Sequence, residues 1–231
     1  MKTSAIKKEL IAGQTDFALL SPTATSNDVR EYCKKVAAMG GYSVCVNPAN
    51  LAAAKETLGS LNEAQPDGNK TLLCAVVGFP LGATTTMQKF TEAEECVSLG
   101  ANEIDAVMNI GALKGGETGL VRDEIALLAR FCKSEGVILK IIIETCYLTD
   151  AEKRTAVKLC AEGGADFVKT STGFGTGGAT LGDIKLMKSV IDEIGSSTEI
   201  KASGGIKTLS AAEALIDAGA TRLGMSSLPE E

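Results

Sequence analysis

An apolar, β-rich run followed by a longer amphipathic segment recurs eight times along this chain, and few folds accommodate that rhythm. The β-rich runs are "DFALL" (16–20), "YSVCVN" (42–47), "LLCAVVG" (72–78), "EIDAVMN" (103–109), "ILKIIIE" (138–144), "FVKTS" (167–171), "EIKAS" (199–203) and "RLGMS" (222–226). Helical patterns such as "SNDVREYCKKVAAM", "TTMQKFTEAEECVSLG", "VRDEIALLARFCKSEG" and "LSAAEALIDAG" lie between them; in the last, Ala211, Leu215 and Ala218 share a face. Regular βα alternation implies parallel strands. Eight units in 231 residues give a period of about 29, the size of a closed (β/α)8 barrel. A doubly wound dinucleotide fold is disfavoured, because no G-x-G-x-x-G follows the first strand.

A faint repeat marks the helix-to-strand joints. "GANEID", "GADFVK" and "GATRLG" each place Gly-Ala before a strand: the glycine ends a helix in the left-handed region and the alanine lets the strand pack closely. No linker or low-complexity run divides residues 1–231, so a single barrel domain is expected, with residues 60–70 as a surface loop. Only four residues follow Ser227. The eighth helix is therefore expected to be short or absent, and its wall to be covered by an extra N-terminal helix over 3–12, by a partner chain as in a homodimer, or not at all.

Composition removes whole classes of function. Hydrophobic residues make up 45% of the chain but aromatics only 4%, so Ala, Val, Ile and Leu must fill the core. The net charge of −6 argues against nucleic-acid partners. No apolar stretch is long enough for a membrane span and "MKTSAIKKELIAG" has no long apolar segment, so a cytoplasmic protein is expected. The seven cysteines are odd in number and include no C-x-x-C pair, so they read as buried thiols rather than disulfides. Histidine is absent, which removes Ser-His-Asp and Cys-His catalysis and most zinc sites.

Acid–base and nucleophilic work must then fall to other side chains, and three lysines stand inside strands. Alternation puts Lys140 on a face with Ile142 and Glu144, Lys169 with Phe167 and Ser171, and Lys201 with Glu199 and Ser203. A single strand lysine is more often salt-bridged or snorkelling than catalytic. Three on neighbouring strands would crowd one small volume, where like charge and desolvation both favour the neutral, nucleophilic amine. The spacing leaves all three as candidates. Asp105, on a face with Val107 and Asn109, is the matching acid; Glu144 and Glu103 are lesser ones, Glu103 because it starts a strand, away from the catalytic end. Glycines and hydroxyls follow the last three strands: Gly173 in "STGFGTGG", Gly204 and Gly205 in "ASGGIKT", and Gly224, Ser226 and Ser227 in "GMSS". Backbone N–H groups and hydroxyls there suit a phosphate, at the recurrent anion site of such barrels.

Over about residues 15–227, "SVCVNP", "VVGFPLGATTT", "EIDAVMNIGALKGG", "LKIIIETCYLT", "DFVKTSTGFGTGGAT" and "KASGGIKTLSAAEALIDAGATRLGMSS" resemble the deoxyribose-phosphate aldolases. The resemblance implies a class I aldolase without metal or organic cofactor. It would cleave 2-deoxy-D-ribose 5-phosphate reversibly to acetaldehyde and D-glyceraldehyde 3-phosphate. It assigns the Schiff-base amine to Lys169 and the lysine that keeps that amine unprotonated to Lys201. Asp105 becomes the acid that relays protons with water. The phosphate positions match Gly173, Gly204, Gly205, Ser226 and Ser227, with Lys140, Asp16 and Cys45 in support. The implied partner is a small sugar phosphate.

The chain departs from the family near its first strand. Where many members read "DHTLLKP" it reads "DFALLSP", retaining Asp16 but placing Phe17, Ala18 and Ser21 for His, Thr and Lys. It ends in "LPEE" without a terminal tyrosine that some members use in proton transfer. These departures leave two further readings open: a non-catalytic sugar-phosphate-binding barrel of the same descent, and another phosphate-binding barrel enzyme that does not need the Lys169–Lys201 pair.

Overall fold

Eight parallel strands close on themselves in sequence order in the computed structural model, which describes residues 2–65 and 70–229. The strands are β1 (Thr15–Leu19), β2 (Ser43–Val46), β3 (Leu72–Val77), β4 (Glu103–Val107), β5 (Ile138–Ile142), β6 (Phe167–Lys169), β7 (Glu199–Ser203) and β8 (Arg222–Met225). Around them run α1 (Lys2–Ala12), α2 (Ser26–Ala38), α3 (Leu51–Glu63), α4 (Thr86–Ser98), α5 (Ile110–Lys114), α6 (Thr118–Ser134), α7 (Asp150–Gly163), α8 (Leu181–Ile194) and α9 (Leu209–Asp217). β8 returns to β1 through Thr15↔Leu223 and Asp16↔Gly224, which closes the cylinder. Among the described residues no helix is long and apolar enough to cross a membrane.

The Gly-Ala joints explain how each helix hands over to its strand. Gly100, Gly164 and Gly219 have φ of +99°, +85° and +119°. The next residue's N–H reaches back five residues in each case: Ala101 to Cys96 O, Ala165 to Cys160 O and Ala220 to Leu215 O, at 3.0–3.1 Å. That bond satisfies a carbonyl the helix leaves open, and only glycine takes the left-handed turn without strain. All three alanines are buried where the strand begins. Helix starts are equally explicit, with capping boxes at Thr25/Asp28, Thr85/Gln88 and Thr149/Glu152.

Two expectations need adjustment, and the one for a short or absent eighth helix with an extra N-terminal helix holds. The 60–70 segment is helical to Glu63, and residues 66–69 lie outside the described residues. In α9 the buried positions are Ala212 and Leu215, with Ala211 and Ala218 only half-buried. α1 packs on α9, where Lys7 pairs with Glu213 at 2.8 Å, and the described residues after β8 form no helix. Tyr32 of α2 leans over the end of β8 instead, its hydroxyl donating to Ser226 O at 2.8 Å.

The helical layer is tightly fitted at Gly163, where a Cβ would come within 2.5 Å of Ile125 Cγ2 and 2.8 Å of its Cβ. Gly163→Ala must push α6 and α7 apart. A loss of about 1–3 kcal/mol in urea unfolding is expected, as for other overpacked core sites.

Candidate active site

The inward residues of six strands build a buried ionic network near the cylinder axis. Asp105 of β4 is its hub. Its Oδ2 accepts from Lys169 Nζ at 2.7 Å and from Lys201 Nζ at 2.6 Å, and its Oδ1 accepts from Lys140 Nζ at 2.9 Å and Cys74 Sγ at 3.3 Å. The sheet register dictates this meeting: Asp105 pairs with Lys140, Ile142 with Lys169, and Lys169 with Lys201. Because the Lys169 and Lys201 amines share one oxygen, their separation is bounded by those two short distances. Asp16 of β1 faces Lys201 at 2.5 Å and Lys140 at 3.4 Å through Oδ2. Its Oδ1 accepts from Arg222 Nη1 at 2.9 Å and Ser43 Oγ at 2.8 Å.

The carboxylates decide the protonation of this network. Burial pulls Lys201 down, but Asp105 and Asp16 outweigh it and hold the amine above its ordinary value. Lys140 is likewise raised against burial, by Asp105 and Asp16 first and Glu103 among the rest. The same pairing holds Asp105 well below the ordinary carboxylate range, although burial alone would raise it, and Asp16 follows the same pattern. The expectation that crowding and desolvation would discharge the lysines therefore fails for Lys201, because negative charge is interleaved between the amines.

Glu103 also plays a larger part than its place at a strand start suggests. It accepts from Lys140 at 2.5 Å and from Arg222 at 3.3 Å, forming the floor of the network. Arg222, which the sequence reading passed over, lies 3.4 Å above the Tyr42 ring centroid and 5.2 Å from that of Phe167. Alternation puts it on the face of Gly224, and that was the available signal.

Above the network opens a cavity of about 610 Å³ at the C-terminal ends of β1, β6, β7 and β8. Lys169, Lys201 and Asp16 form its base, and Gly173, Gly204, Gly205, Gly224 and Ser226 line its wall. Asp105 and Lys140 lie beneath and do not line it; Ser227 is exposed beside it. Gly173, Gly204 and Gly205 all have positive φ, and among the described residues their N–H groups make no hydrogen bond within the chain. The two lysine-bearing strand ends are stapled together: Ser203 Oγ donates to Ser171 O at 2.6 Å and Thr170 Oγ1 to Ser203 O at 3.0 Å. Thr172 and Lys207, also unassigned from sequence, line the cavity, and Lys207 brings a cation to the loop that carries Gly204 and Gly205.

The departures near the first strand fall in different places. Phe17 points outward against Val36 and Gly41, whereas Ala18 and Ser21 line the cavity. Cys45 pairs with Cys74 across β2 and β3 beside an apolar cluster with Ala18, Leu20 and Phe79. A hydrogen bond from Cys74 pulls the Cys45 thiol below its ordinary value against the effect of burial. Cys45, Cys74 and Asp105 bring three potential metal ligands within 4.8 Å of one another. Three ammonium groups already occupy the Asp105 oxygens, a poor setting for a cation.

A closed parallel barrel with buried amines at the base of a glycine-lined cavity defines a site for amine-based carbonyl chemistry beside an anion. Residues 10–229 match the family described as DeoC/LacD family aldolase. The deoxyribose-phosphate aldolase of Carboxydothermus hydrogenoformans is 48% identical over 219 residues, covering 94% of this chain and 91% of that protein. That of Caldanaerobacter subterraneus subsp. tengcongensis is 46% identical over 217 residues, covering 94% and 89%. The deoxyribose phosphate aldolase of Aeropyrum pernix, solved as a tetramer, superposes with a TM-score of 0.85 at 29% identity, covering 97% and 92%. The chain belongs to the DeoC/LacD aldolase family.

Proposed function

We propose that the chain is a class I aldolase that cleaves 2-deoxy-D-ribose 5-phosphate reversibly to acetaldehyde and D-glyceraldehyde 3-phosphate, with Lys169 as the Schiff-base amine. The observation that carries this reading is the different partnering of two amines on one cavity. Lys169 has one carboxylate partner, whereas Lys201 has two and is held above its ordinary value. Within the network four cations (Lys140, Lys169, Lys201 and Arg222) face three carboxylates (Asp16, Glu103 and Asp105), so release of one proton balances it. Lys201 then remains a cation beside the nucleophile and Asp105 holds both amines in place.

In the reaction, Lys169 Nζ adds to C1 of the open-chain sugar, and loss of water gives an iminium. The C3 hydroxyl gives up its proton as the C2–C3 bond breaks. C3 leaves as the aldehyde of glyceraldehyde 3-phosphate, and the bonding pair becomes the enamine. Protonation at C2 and hydrolysis release acetaldehyde and restore the amine. Asp105 stays ionised and does not line the cavity, so it acts on the substrate only through the amines it holds or through water between them. Lys201, at the cavity base, is the charged group placed to donate. The free N–H groups of Gly173, Gly204 and Gly205, with Ser226 and Lys207, suit the phosphate.

Incubation with 2-deoxyribose 5-phosphate is expected to release acetaldehyde and glyceraldehyde 3-phosphate in equal amounts. Sugar-phosphate binding without either product would instead make this a non-catalytic barrel.

A further inference from the structure

Glu144 is the only non-glycine residue with positive φ among the described residues, at φ +52° and ψ +68°, and it is a buried carboxylate. A bulky residue persists in that conformation only where its surroundings hold it there, and such places cluster at functional sites. Glu144 makes no ion pair among the described residues; its oxygens are turned instead on the loop that follows β6. Thr172 N–H donates to Oε1 and Oε2 at 3.3 Å each, and Thr172 Oγ1 donates to Oε2. The same hydroxyl accepts from Phe174 N–H at 3.0 Å. A Cβ on Gly175 would come within 3.1 Å of Glu144 Cδ and 2.7 Å of Cys146 Sγ, so the loop closes on the carboxylate because position 175 has no side chain. Gly173, between the two residues so held, keeps its N–H uncommitted and lines the cavity.

We propose that Glu144 is a positioning residue: from behind the cavity wall it fixes the turn Thr172–Gly173–Phe174 and so aims the Gly173 N–H at the substrate phosphate. The inference rests on the reading of Gly173 as part of the phosphate site. The left-handed turn at the end of β5 is what swings the carboxylate across to β6, and the Thr172 hydroxyl passes its hold on to Phe174 N–H. Lys169 precedes this turn within the strand and is positioned by Asp105, so the clamp acts on phosphate recognition and not on formation of the Schiff base.

The test uses Glu144→Gly, which removes the carboxylate while tolerating positive φ. KM for 2-deoxyribose 5-phosphate is expected to rise about tenfold or more, the scale of a lost hydrogen bond to a charged group. Turnover of unphosphorylated 2-deoxyribose, and borohydride trapping of acetaldehyde on Lys169, should be unchanged. An unchanged KM for the phosphorylated sugar, or an equal loss on both sugars, would overturn the proposal. Should Glu144→Gly not fold, Glu144→Gln gives the same split: it keeps the volume but loses one acceptor, and the same outcomes decide. Ser226→Asp separates the two levels of the argument. If that added charge leaves KM for the phosphorylated sugar unchanged, the phosphate site itself is misplaced; if it raises KM while Glu144→Gly does not, only the clamp falls.

Discussion

Lys169→Met is expected to lower retro-aldol turnover by about four orders of magnitude or more, the scale seen when a covalent nucleophile is removed, while the barrel stays folded. Methionine keeps most of the lysine's length in a site that is 4% exposed. The ionic network also tolerates the loss, because Lys140, Lys201 and Arg222 then face Asp16, Glu103 and Asp105 in equal number. Thermal unfolding should therefore change far less than activity. Acetaldehyde with borohydride should place an ethyl group on Lys169 of the parent protein and on no residue of the variant, as read by peptide mass mapping. Lys201 is the informative control, since its amine touches the same oxygen of Asp105. An ethyl group found on Lys201, or turnover surviving Lys169→Met, would reverse the roles proposed for the two amines.

The difference between those amines is what the sequence could not supply. Alternation along "EIDAVMN", "ILKIIIE", "FVKTS" and "EIKAS" correctly turns Asp105, Lys140, Lys169 and Lys201 into one cylinder, and six of the eight runs begin on the residue where the strand begins. Several runs overshoot at their C-terminal ends, and the cause is functional geometry. In "EIDAVMN" the last two residues leave the strand: Met108 N–H bonds Ile142 O, and Asn109 turns to cap α5 by accepting from Ala112 N–H. A period of two assigns a face but neither depth nor partner. It could not tell that Glu103, at a strand's first residue, would reach Lys140, or that Arg222 would bridge Asp16 and Glu103 from the far side of the closure. Nor does any local pattern announce a left-handed Glu144, since its conformation is maintained by a loop nearly thirty residues further along the chain.

Asp105→Asn should do the most damage to the fold and to catalysis together, because three ammonium groups share that carboxylate. Asparagine retains an acceptor but removes the charge, leaving buried cations under-compensated. A loss of about 3–5 kcal/mol in urea unfolding near neutral pH is expected, the cost of breaking a buried pair from one side. Turnover should fall at least about a hundredfold, since both cavity amines lose the group that aligns them. The pH dependence has a definite sign. Asp105 is held well below its ordinary value of 3.8, so its contribution is fully present above that value and disappears as pH falls through the lower, folded-state value. The stability gap between parent and variant should therefore be widest at neutral pH and shrink in acid. On the alkaline side Lys201 behaves oppositely: raised above 10.5 chiefly by Asp105, it stabilises the fold below that value and loses its contribution as pH climbs through the raised one. Without Asp105 the alkaline limb should begin at lower pH. Urea titrations of both proteins across the acid and alkaline ranges measure the two limbs. A gap that widens in acid, or an alkaline limb that does not move, would mean that Asp105 is not the charge that holds these amines together.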